Sequence, residues 1–193
     1  MLIVVVGVGA LGAQLEALLR NVKATIRVID FDRVEAKNVQ SQFHGRPGVG
    51  RPKVLALSQL MDMLFGVKLA IVPHRLADDN VKELLSGADL VVDCLDNGPS
   101  RRIVQGFVRE HGIPCLHGAV DANGTCGRVY WDERFEVEEG GEAGTATCED
   151  GEHLPFLTVV CGYLAHSAKV FLAKGRRLNY QVTPTSTILV AST

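Results

Sequence analysis

Three glycines near the start of the chain have the spacing of a phosphate-binding turn. Gly7, Gly9 and Gly12 form the pattern G-x-G-x-x-G, directly after the apolar run Leu2 to Val6 and where a segment with helical spacing begins. In such a turn the backbone approaches a phosphate group at the positive end of the helix. The pattern predicts that these three glycines bind a nucleotide, and a turn needed only for packing is the alternative.

Asp30 ends the second apolar run and stands where an acidic residue reaches the ribose hydroxyls of a bound nucleotide. Up to this point an NAD-dependent oxidoreductase fits as well as any other nucleotide-binding enzyme. The next stretch, residues 31 to 52, is polar and rich in glycine and proline, and is too long for an ordinary connection. A dehydrogenase has no evident use for such a loop, so the loop favours a different nucleotide chemistry.

The elements that must position these residues alternate along the chain. Apolar β-branched runs that read as strands buried on both faces are separated by segments of helical spacing. This alternation predicts an α/β fold: a Rossmann-like, doubly wound, mostly parallel sheet with antiparallel strands at the C-terminal end, in one domain over residues 1–193. Strands are expected at Leu2–Val6, Thr25–Ile29, Leu69–Val72, Leu90–Asp93, Pro114–His117, Gly127–Trp131, Leu178–Val182 and Thr187–Val190, and helices at Ala10–Arg20, Lys53–Phe65, Asn80–Leu85, Ser100–His111 and Phe156–Ala173.

Composition excludes several classes of protein. The formal net charge of −2 gives no reason to expect a nucleic-acid partner, which usually requires a strongly basic face. The five cysteines are widely spaced without a C-x-x-C pair, so we expect neither zinc nor a disulfide framework. The apolar start is too short for a signal sequence or a membrane span. We therefore expect a cytoplasmic protein with no membrane partner.

The acidic residues are unevenly distributed. Nine of the 22 lie between Asp132 and Glu152, and Arg134 is the basic residue among them. This composition predicts a loop over about 132–153 that stays out of the core.

Further along, the chain resembles the ThiF/MoeB/HesA family, the bacterial relatives of ubiquitin-activating enzymes. After the glycine turn that family has D-x-D-x-V, N-L-x-R-Q-F, G-x-P-K and D-x-x-D-N, in this order. The resemblance covers residues 1 to about 173, and the ordered set is far more specific than any single motif. The matching segments are Asp30-Phe-Asp32-Arg-Val34, Asn38-Val-Gln-Ser-Gln42-Phe43, Gly50-Arg-Pro-Lys53 and Asp93-Cys-Leu-Asp96-Asn97, followed by Arg101.

The resemblance implies roles for these positions. Asp30 would hold the ribose, Asn38 and Lys53 would reach the phosphates of ATP, and Asp96 would bind Mg²⁺. Asp32, Gln42 and Asn97 would complete the nucleotide site. Each residue also has a structural reading: Asn38 and Gln42 could satisfy loop backbone, Lys53 could be a solvated helix start, and Asp96-Asn97 could cap a helix.

The activity that the resemblance implies is adenylation. The C-terminal carboxylate of a small ubiquitin-like or sulfur-carrier protein with a Gly-Gly terminus would attack the α-phosphate of MgATP, giving an acyl-adenylate and pyrophosphate, and a thiol or sulfur transfer could follow. Close relatives form symmetric pairs, so a homodimer is expected. The alternatives are a non-catalytic binding module and an NAD-dependent oxidoreductase.

The chain departs from the family pattern at several positions. The arginine of N-L-x-R-Q is Ser41, which cannot supply the positive charge, and Arg46 or Arg51 in the same loop could replace it. Cys148 stands where some relatives have a cysteine that links to the partner, although Glu149 beside it disfavours the thiolate. The remaining chemistry-bearing residues are assigned no catalytic role: Cys94, Cys115 and Cys161 as buried small hydrophobes, and His44, His117 and His153 as structural histidines.

Overall fold

The computed structural model describes residues 1–121, 123–137 and 151–190. Its strands are β1 (Leu2–Val6), β2 (Thr25–Ile29), β3 (Ala70–Val72), β4 (Leu90–Asp93), β5 (Cys115–Val120), β6 (Gly127–Trp131), β7 (Asn179–Val182) and β8 (Thr187–Val190). Its α-helices are α1 (Ala10–Leu19), α2 (Lys53–Phe65), α3 (Val81–Leu85), α4 (Gly98–His111) and α5 (Leu154–Lys174). The prediction of an alternating α/β chain is confirmed.

The strands form one sheet in the order β3-β2-β1-β4-β5-β6-β7-β8. The pairs from β3 through β5 are parallel, and the pairs β5–β6, β6–β7 and β7–β8 are antiparallel. The order in which strands are added to the sheet reverses at β1, since β2 and β4 pair with its opposite edges. This is the doubly wound, mostly parallel sheet with antiparallel C-terminal strands that the sequence predicts.

Helices cover both faces of the parallel part of the sheet, which explains why β1 is apolar at every position. Ile3 and Val5 belong to a core cluster that also contains residues of α1, α2 and α5. Val4 and Val6 belong to a second cluster, formed with α3 and α4. All four side chains are at most 1% exposed. A strand between two helical layers has no solvent side on which a polar residue would be tolerated.

Helix α5 packs against α1 and against β5, β6 and β7. Among the described residues it is the helix long and apolar enough to cross a membrane by length and composition, but 44% of that window is buried inside the protein. The buried side chains include Leu157, Val160 and Leu164, which lie in the same cluster as β1. The apolar character of α5 is therefore explained by its place in the core.

The long loop between β2 and α2 contains two short 3-10 helices, Ala36–Gln40 and Arg46–Gly48. Glu35 and Asn38 form a capping box at the first of them, and the Glu35 amide donates to Asn38 Oδ1 at 2.8 Å. The two ends of the loop meet where the Lys53 amide donates to the Asp32 carbonyl at 2.8 Å. This ordered loop borders the site described next.

Candidate nucleotide-binding site

A cavity of about 450 Å³ lies at the carboxyl ends of β1, β2, β4 and β5. Its wall includes the start of α1, the residues that follow β2 and β4, and residues of β5 and β6. In open α/β sheets, ligands bind at this edge, where the strand order reverses. The volume is in the range of small-molecule sites.

The glycine turn combines two structural glycines with one that leaves space. A Cβ on Gly7, whose φ is +87°, would lie 2.9 Å from the Cys94 carbonyl oxygen, and a Cβ on Gly12 would lie 1.9 Å from the Gly7 carbonyl oxygen. A Cβ on Gly9 would approach no described protein atom closer than Gln42 Nε2, at 3.9 Å. Gly7 and Gly12 are thus required by packing, whereas Gly9 leaves room on the cavity side.

The amino end of α1 opens on the same cavity. Gly9 and Ala10 line it, and within the described chain no side chain caps the helix at Gly9. The first amides of a helix lack intrahelical acceptors and carry partial positive charge, so they suit an anion. The geometry fits a phosphate group at this point.

Two side chains fix the turn from either side of Val8. The Val8 amide donates to Asp30 Oδ2 at 2.8 Å, and His44 Nε2 donates to the Val8 carbonyl at 3.0 Å. Burial raises the pKa of Asp30, and Lys53 and two backbone amides act in the opposite direction. Burial lowers the pKa of His44 to about 4, so the ring is neutral at physiological pH. His44 therefore has a structural role, as the sequence predicts.

Lys53 lies at the start of α2 and points to the cavity. It is 8% exposed, and its Nζ lies 3.2 Å from Asp32 Oδ2. Both side chains line the cavity, as do Asp30 and Gln42. Gln42 Oε1 is buried without a hydrogen-bond partner among the described residues. Lys53 is thus no solvated helix start: it is a nearly buried cation beside the turn.

Asp96 and Asn97 follow β4 and line the opposite side of the cavity from the loop after β2. Asn97 Oδ1 accepts a hydrogen bond from the Ser100 amide at 3.0 Å and caps α4. The structural reading of Asn97 as a helix cap is therefore correct, and the residue also faces the cavity. Asp96 is exposed and lines the cavity, and its Oδ1 lies 3.4 Å from Asn97 Nδ2.

Other predicted site residues lie elsewhere. Neither Asn38 nor Arg46 lines the cavity: Asn38 is in the capping box, and Arg46 is exposed at the first position of the second 3-10 helix. Ser41 is 1% exposed, and Arg51 donates to Gln59 Oε1 on α2 at 2.6 Å. The roles of Asn38 and Arg46 stay predictions. Cys148 lies outside the described residues.

Several cavity residues were missed by the sequence analysis. Arg75 lines the cavity with its guanidinium 4.0 Å from the centre of the Phe31 ring, and Arg128 of β6 lines it from the other side. Cys94, which was expected to be an enclosed core residue, is partly exposed on the cavity wall, while Cys115 and Cys161 are buried as expected. None of these positions stands out by pattern, because their exposure depends on which strands are neighbours.

A buried network of charged groups borders the cavity. His117 Nδ1 donates to Asp93 Oδ2 at 2.7 Å, and Nε2 donates to Asp132 Oδ1 at 3.1 Å. Arg101 Nη1 donates to the same Asp93 oxygen at 2.8 Å, and Arg109 Nε donates to Asp132 Oδ2 at 2.7 Å. We refer to these groups as the Asp93–His117–Asp132 network.

The network explains the charge states within it. Burial disfavours the charged imidazolium, but Cys115 and the hydrogen bonds to Asp132 and Asp93 outweigh it and raise the pKa of His117 well above its ordinary value. Burial alone would raise the pKa of Asp93, yet Arg101 and His117 hold it below its ordinary range. His117 is a structural histidine, as predicted, and its raised pKa favours the protonated ring.

The network also corrects one expectation. The segment over 132–153 was predicted to stay out of the core, but Asp132 is 8% exposed and Phe135 is 4% exposed. Asp132 is buried because three donors satisfy its carboxylate, and Phe135 stacks on the His117 ring with centroids 4.2 Å apart. The acidic composition of the whole segment predicted exposure throughout, although Asp132 and Phe135 at its start are buried.

The fold and the cavity define a Rossmann-like protein with a site of the nucleotide-binding type. The chain belongs to the ThiF family, whose model matches residues 1–180. The family resemblance stated from the motifs is thereby confirmed.

Curated relatives carry the names of carrier-activating enzymes. The chain is 38% identical over 190 residues to the SAMP-activating enzyme E1 of Haloferax volcanii, a match that covers 92% of this chain and 69% of that protein. It is 36% identical over 121 residues to the sulfur carrier protein adenylyltransferase of Thermus thermophilus, covering 61% of this chain and 45% of the relative. The second match spans less than half of the relative.

Solved structures share the fold at low identity. E. coli MccB with ATP has a TM-score of 0.74 at 14% identity, over 99% of this chain and 63% of that one. E. coli tRNA N6-threonylcarbamoyladenosine dehydratase TcdA, in complex with ATP, has a TM-score of 0.68 at 20% identity, over 90% of this chain and 86% of that one. At these identities the likeness shows the fold.

Proposed function

We propose that this chain is an ATP-dependent adenylyltransferase that activates the C-terminal carboxylate of a small ubiquitin-like sulfur-carrier protein. One observation carries the proposal: a single cavity contains the glycine turn, the buried Lys53 and the carboxylate of Asp96. The names of the curated relatives support the same class of enzyme. An oxidoreductase would leave Lys53 and Asp96 without a purpose.

Each part of the cavity then has a role toward ATP. The amides at the start of α1 and the space beside Gly9 receive the phosphates, and Lys53 supplies positive charge next to them. Asp30 accepts two backbone amides, from Val8 and Asp32, and its oxygens retain lone pairs for ribose hydroxyls. Gln42 Oε1, without a described partner, can accept a hydrogen bond from the nucleotide. With ATP held in this way, the α-phosphate would lie between the turn and Asp96.

The proposed reaction is a displacement at phosphorus. A carboxylate oxygen of the carrier attacks the α-phosphorus, the bond from that phosphorus to the bridging oxygen breaks, and pyrophosphate leaves with the electron pair. Negative charge grows on pyrophosphate, so cations held beside it beforehand lower the barrier. Lys53, nearly buried on the cavity wall, is a cation held in this way.

Asp96 is the residue that would hold Mg²⁺. Among residues 1–121, 123–137 and 151–190 there is no group of three or more metal-ligating side chains. Mg²⁺ commonly takes one or two protein carboxylates and completes its shell with phosphate oxygens and water, so one exposed carboxylate facing the phosphate site fits this ion. When bound, Mg²⁺ neutralises charge on the phosphates.

We extend the proposal to a symmetric homodimer, a cytoplasmic location, a single domain and a thiol or sulfur transfer after adenylation. The strand β8 offers an edge for pairing, with Ile188 and Leu189 each 58% exposed. Light scattering at micromolar concentration tests the dimer, and a monomer there would contradict it.

The proposal is tested by exchange of labelled pyrophosphate into ATP, with MgATP and each small Gly-Gly-terminated protein encoded in the source genome. The wild type is expected to support exchange that depends on one of these proteins. Asp96→Asn should lower the exchange rate about 100-fold, because the metal loses its protein ligand. Asp89→Asn is the matched control: Asp89 precedes the other end of β4, and its side chain is 56% exposed.

Thermal shifts separate this proposal from its alternatives, since a ligand of the native state raises the melting temperature. MgATP should stabilise the wild type and NAD should not. Stabilisation by NAD alone would favour an oxidoreductase. Binding of MgATP without exchange in the presence of every candidate carrier would leave a non-catalytic binding module.

A further inference from the structure

Two buried titratable groups near the cavity are not used by the nucleotide chemistry. Glu16 of α1 lies near the thiols Cys94 and Cys161, and its carboxylate oxygens have no hydrogen-bond partner among the described residues. His117 of β5 is fully buried, and its contacts lead to two separate walls of the cavity. Because His117 lies between these walls, a change in its contacts would alter the shape of the cavity.

On one side, His117 is connected to the loop that carries Asp96. Its Nδ1 donates to Asp93 Oδ2, and Asp93 Oδ1 accepts the Leu95 amide at 2.9 Å. Arg101 completes this side, because it donates to Asp93 and to the carbonyl oxygens of Leu95 and Gly118. The backbone just before Asp96 is therefore held by the Asp93 carboxylate, and His117 orients that carboxylate.

On the other side, His117 is connected to the wall formed by residues 135–137, all of which line the cavity. Its Nε2 donates to Asp132 Oδ1, and the Phe135 amide donates to the Asp132 carbonyl at 3.3 Å. The Phe135 ring stacks on the imidazole with an interplanar angle of 6°. Gln105 donates to Asp132 Oδ1 and to the Phe135 carbonyl, at 2.8 and 2.9 Å. The imidazole thus lies directly between the two walls.

We propose that His117 is a positioning residue that sets the distance between the Asp96 loop and the 135–137 wall, and so aligns the carrier's carboxylate with the α-phosphate. This inference rests on the proposed function. In the described part of the chain, no side-chain hydrogen bond or ion pair joins the network to the glycine turn, Asp30 or Lys53. His117 therefore affects the rate at which bound nucleotide reacts with the carrier, and it leaves the affinity for the nucleotide unchanged.

A doubly protonated ring suits this position better than a neutral side chain. Each ring nitrogen faces a carboxylate, so both must donate, and a neutral imidazole has one donor only. Hydrogen bonds to ionised groups are also shorter and stronger than neutral ones. Glutamine at this place could donate from its amide but would leave the two buried carboxylates without the positive charge between them.

The test compares His117→Gln with His111→Gln. His111 of α4 is a matched control, because its Nδ1 lies 2.9 Å from the Phe107 carbonyl and its ring stacks on Phe107 at 4.0 Å, without an acidic partner on each side. In His117→Gln we expect the dissociation constant of a non-hydrolysable MgATP analogue to stay within about twofold, while carrier-dependent turnover falls about 10- to 100-fold. His111→Gln should change neither quantity. Equal losses of nucleotide affinity and turnover in His117→Gln would overturn the proposal.

Amide hydrogen exchange gives a second readout that does not depend on activity. Exchange over residues 132–137 should be about tenfold faster in His117→Gln than in the wild type, with no change over residues 7–12. Unchanged exchange over 132–137 would also overturn the proposal. If the wild type itself shows no carrier-dependent activity, the proposed function fails, and this comparison still decides whether His117 holds the wall.

A second variant covers the case in which His117→Gln does not fold. Asp132→Asn keeps the contact between His117 and Asp93 and removes the charge on the wall side only. It should reproduce the loss of turnover and the faster exchange over 132–137, with nucleotide affinity retained. If both variants fold, the turnover of the double variant should be no lower than that of the more impaired single variant. The effects of groups that act as a unit are not additive. Additive losses would contradict a shared role.

Discussion

Two regions beside the cavity bury carboxylates in opposite ways. In α1, Glu16 is fully buried, and neither of its oxygens has a hydrogen-bond partner among the described residues. At the end of β4, Asp93 is equally buried but accepts from Arg101, His117 and the Leu95 amide. Burial raises the pKa of Glu16 to about 8, whereas the partners of Asp93 hold its pKa below the ordinary range.

The difference shows that burial does not by itself decide the charge of an acid. Without hydrogen-bond partners, a buried carboxylate loses its hydration and no other interaction replaces it, so the protonated form is favoured. With two cations and an amide in contact, the ionised form is favoured even at zero exposure. The α1 region is therefore a neutral support for the glycine turn, and the β4–β5 region is an ionised frame for the rest of the site.

The largest expected effect is the loss of the negative charge at the centre of the frame. Asp93→Asn leaves Arg101 and His117 buried with one acid fewer, and breaking a buried pair in this way typically costs about 3–5 kcal/mol. Denaturant unfolding monitored by circular dichroism measures the change. Asp62→Asn is the control, because the ion pair of Asp62 with Lys68 is solvent-exposed and such pairs contribute about 1 kcal/mol or less. Similar losses in both variants would mean that the network adds little.

Removing the titratable group from α1 should change how stability depends on pH. Burial raises the pKa of Glu16 to about 8 from its ordinary value of 4.5, so between these values the unfolded chain ionises and the native state does not. Wild-type stability should therefore fall as pH rises from 5 to 8, an effect that is absent below pH 4.5 and complete above pH 8.

Glu16→Gln should remove that dependence. The stability of the variant relative to the wild type should rise by about 2–4 kcal/mol between pH 5 and pH 8, since one pKa unit corresponds to about 1.4 kcal/mol. Urea unfolding at several pH values measures it. Glu83→Gln, at an exposed position of α3, should leave the wild-type slope unchanged. Parallel slopes for Glu16→Gln and the wild type would show that Glu16 ionises normally.

The smallest expected effect separates the two kinds of glycine in the turn. Gly12→Ala places a Cβ in contact with the Gly7 carbonyl and should destabilise the fold by about 1–3 kcal/mol. Gly9→Ala meets no such obstacle and should fold normally while weakening MgATP binding about tenfold, equal to 1.4 kcal/mol. Unfolding curves and calorimetric titration measure the pair. Normal MgATP affinity in Gly9→Ala would contradict a phosphate at this position.

Much of the fold was predictable because the signals are local. The run Leu2–Val6 has no polar residue, and the structure places it between two helical layers. The strands and helices were found within a few residues of their observed ends, and the antiparallel pair at the C terminus was found as well. The 3-10 helices within the loop over residues 31–52 were missed, because short helices of this type leave little periodic pattern.

The site was predictable in part. The residues that line the cavity and were named from motifs include Asp30, Lys53 and Asp96, because the motifs place Asp30 after β2, Lys53 at the start of α2 and Asp96 after β4. Arg75 and Arg128 line the same cavity but belong to no motif. Asn38 shows the opposite case, because it matches the motif and yet lies in a capping box outside the cavity lining. Membership of the ThiF family, inferred from the order of the motifs, was confirmed.

The sequence by itself determined the order of strands and helices, the glycine turn and the family, because each depends on neighbouring residues and their periodicity. The tertiary structure decided which acids are charged. Asp93, His117 and Asp132 come from three segments that only the sheet order brings within hydrogen-bond distance, and Glu16 is neutral because α5 and the sheet enclose it without supplying a donor. Electrostatic interactions depend on distance in space, and a linear pattern does not contain that distance.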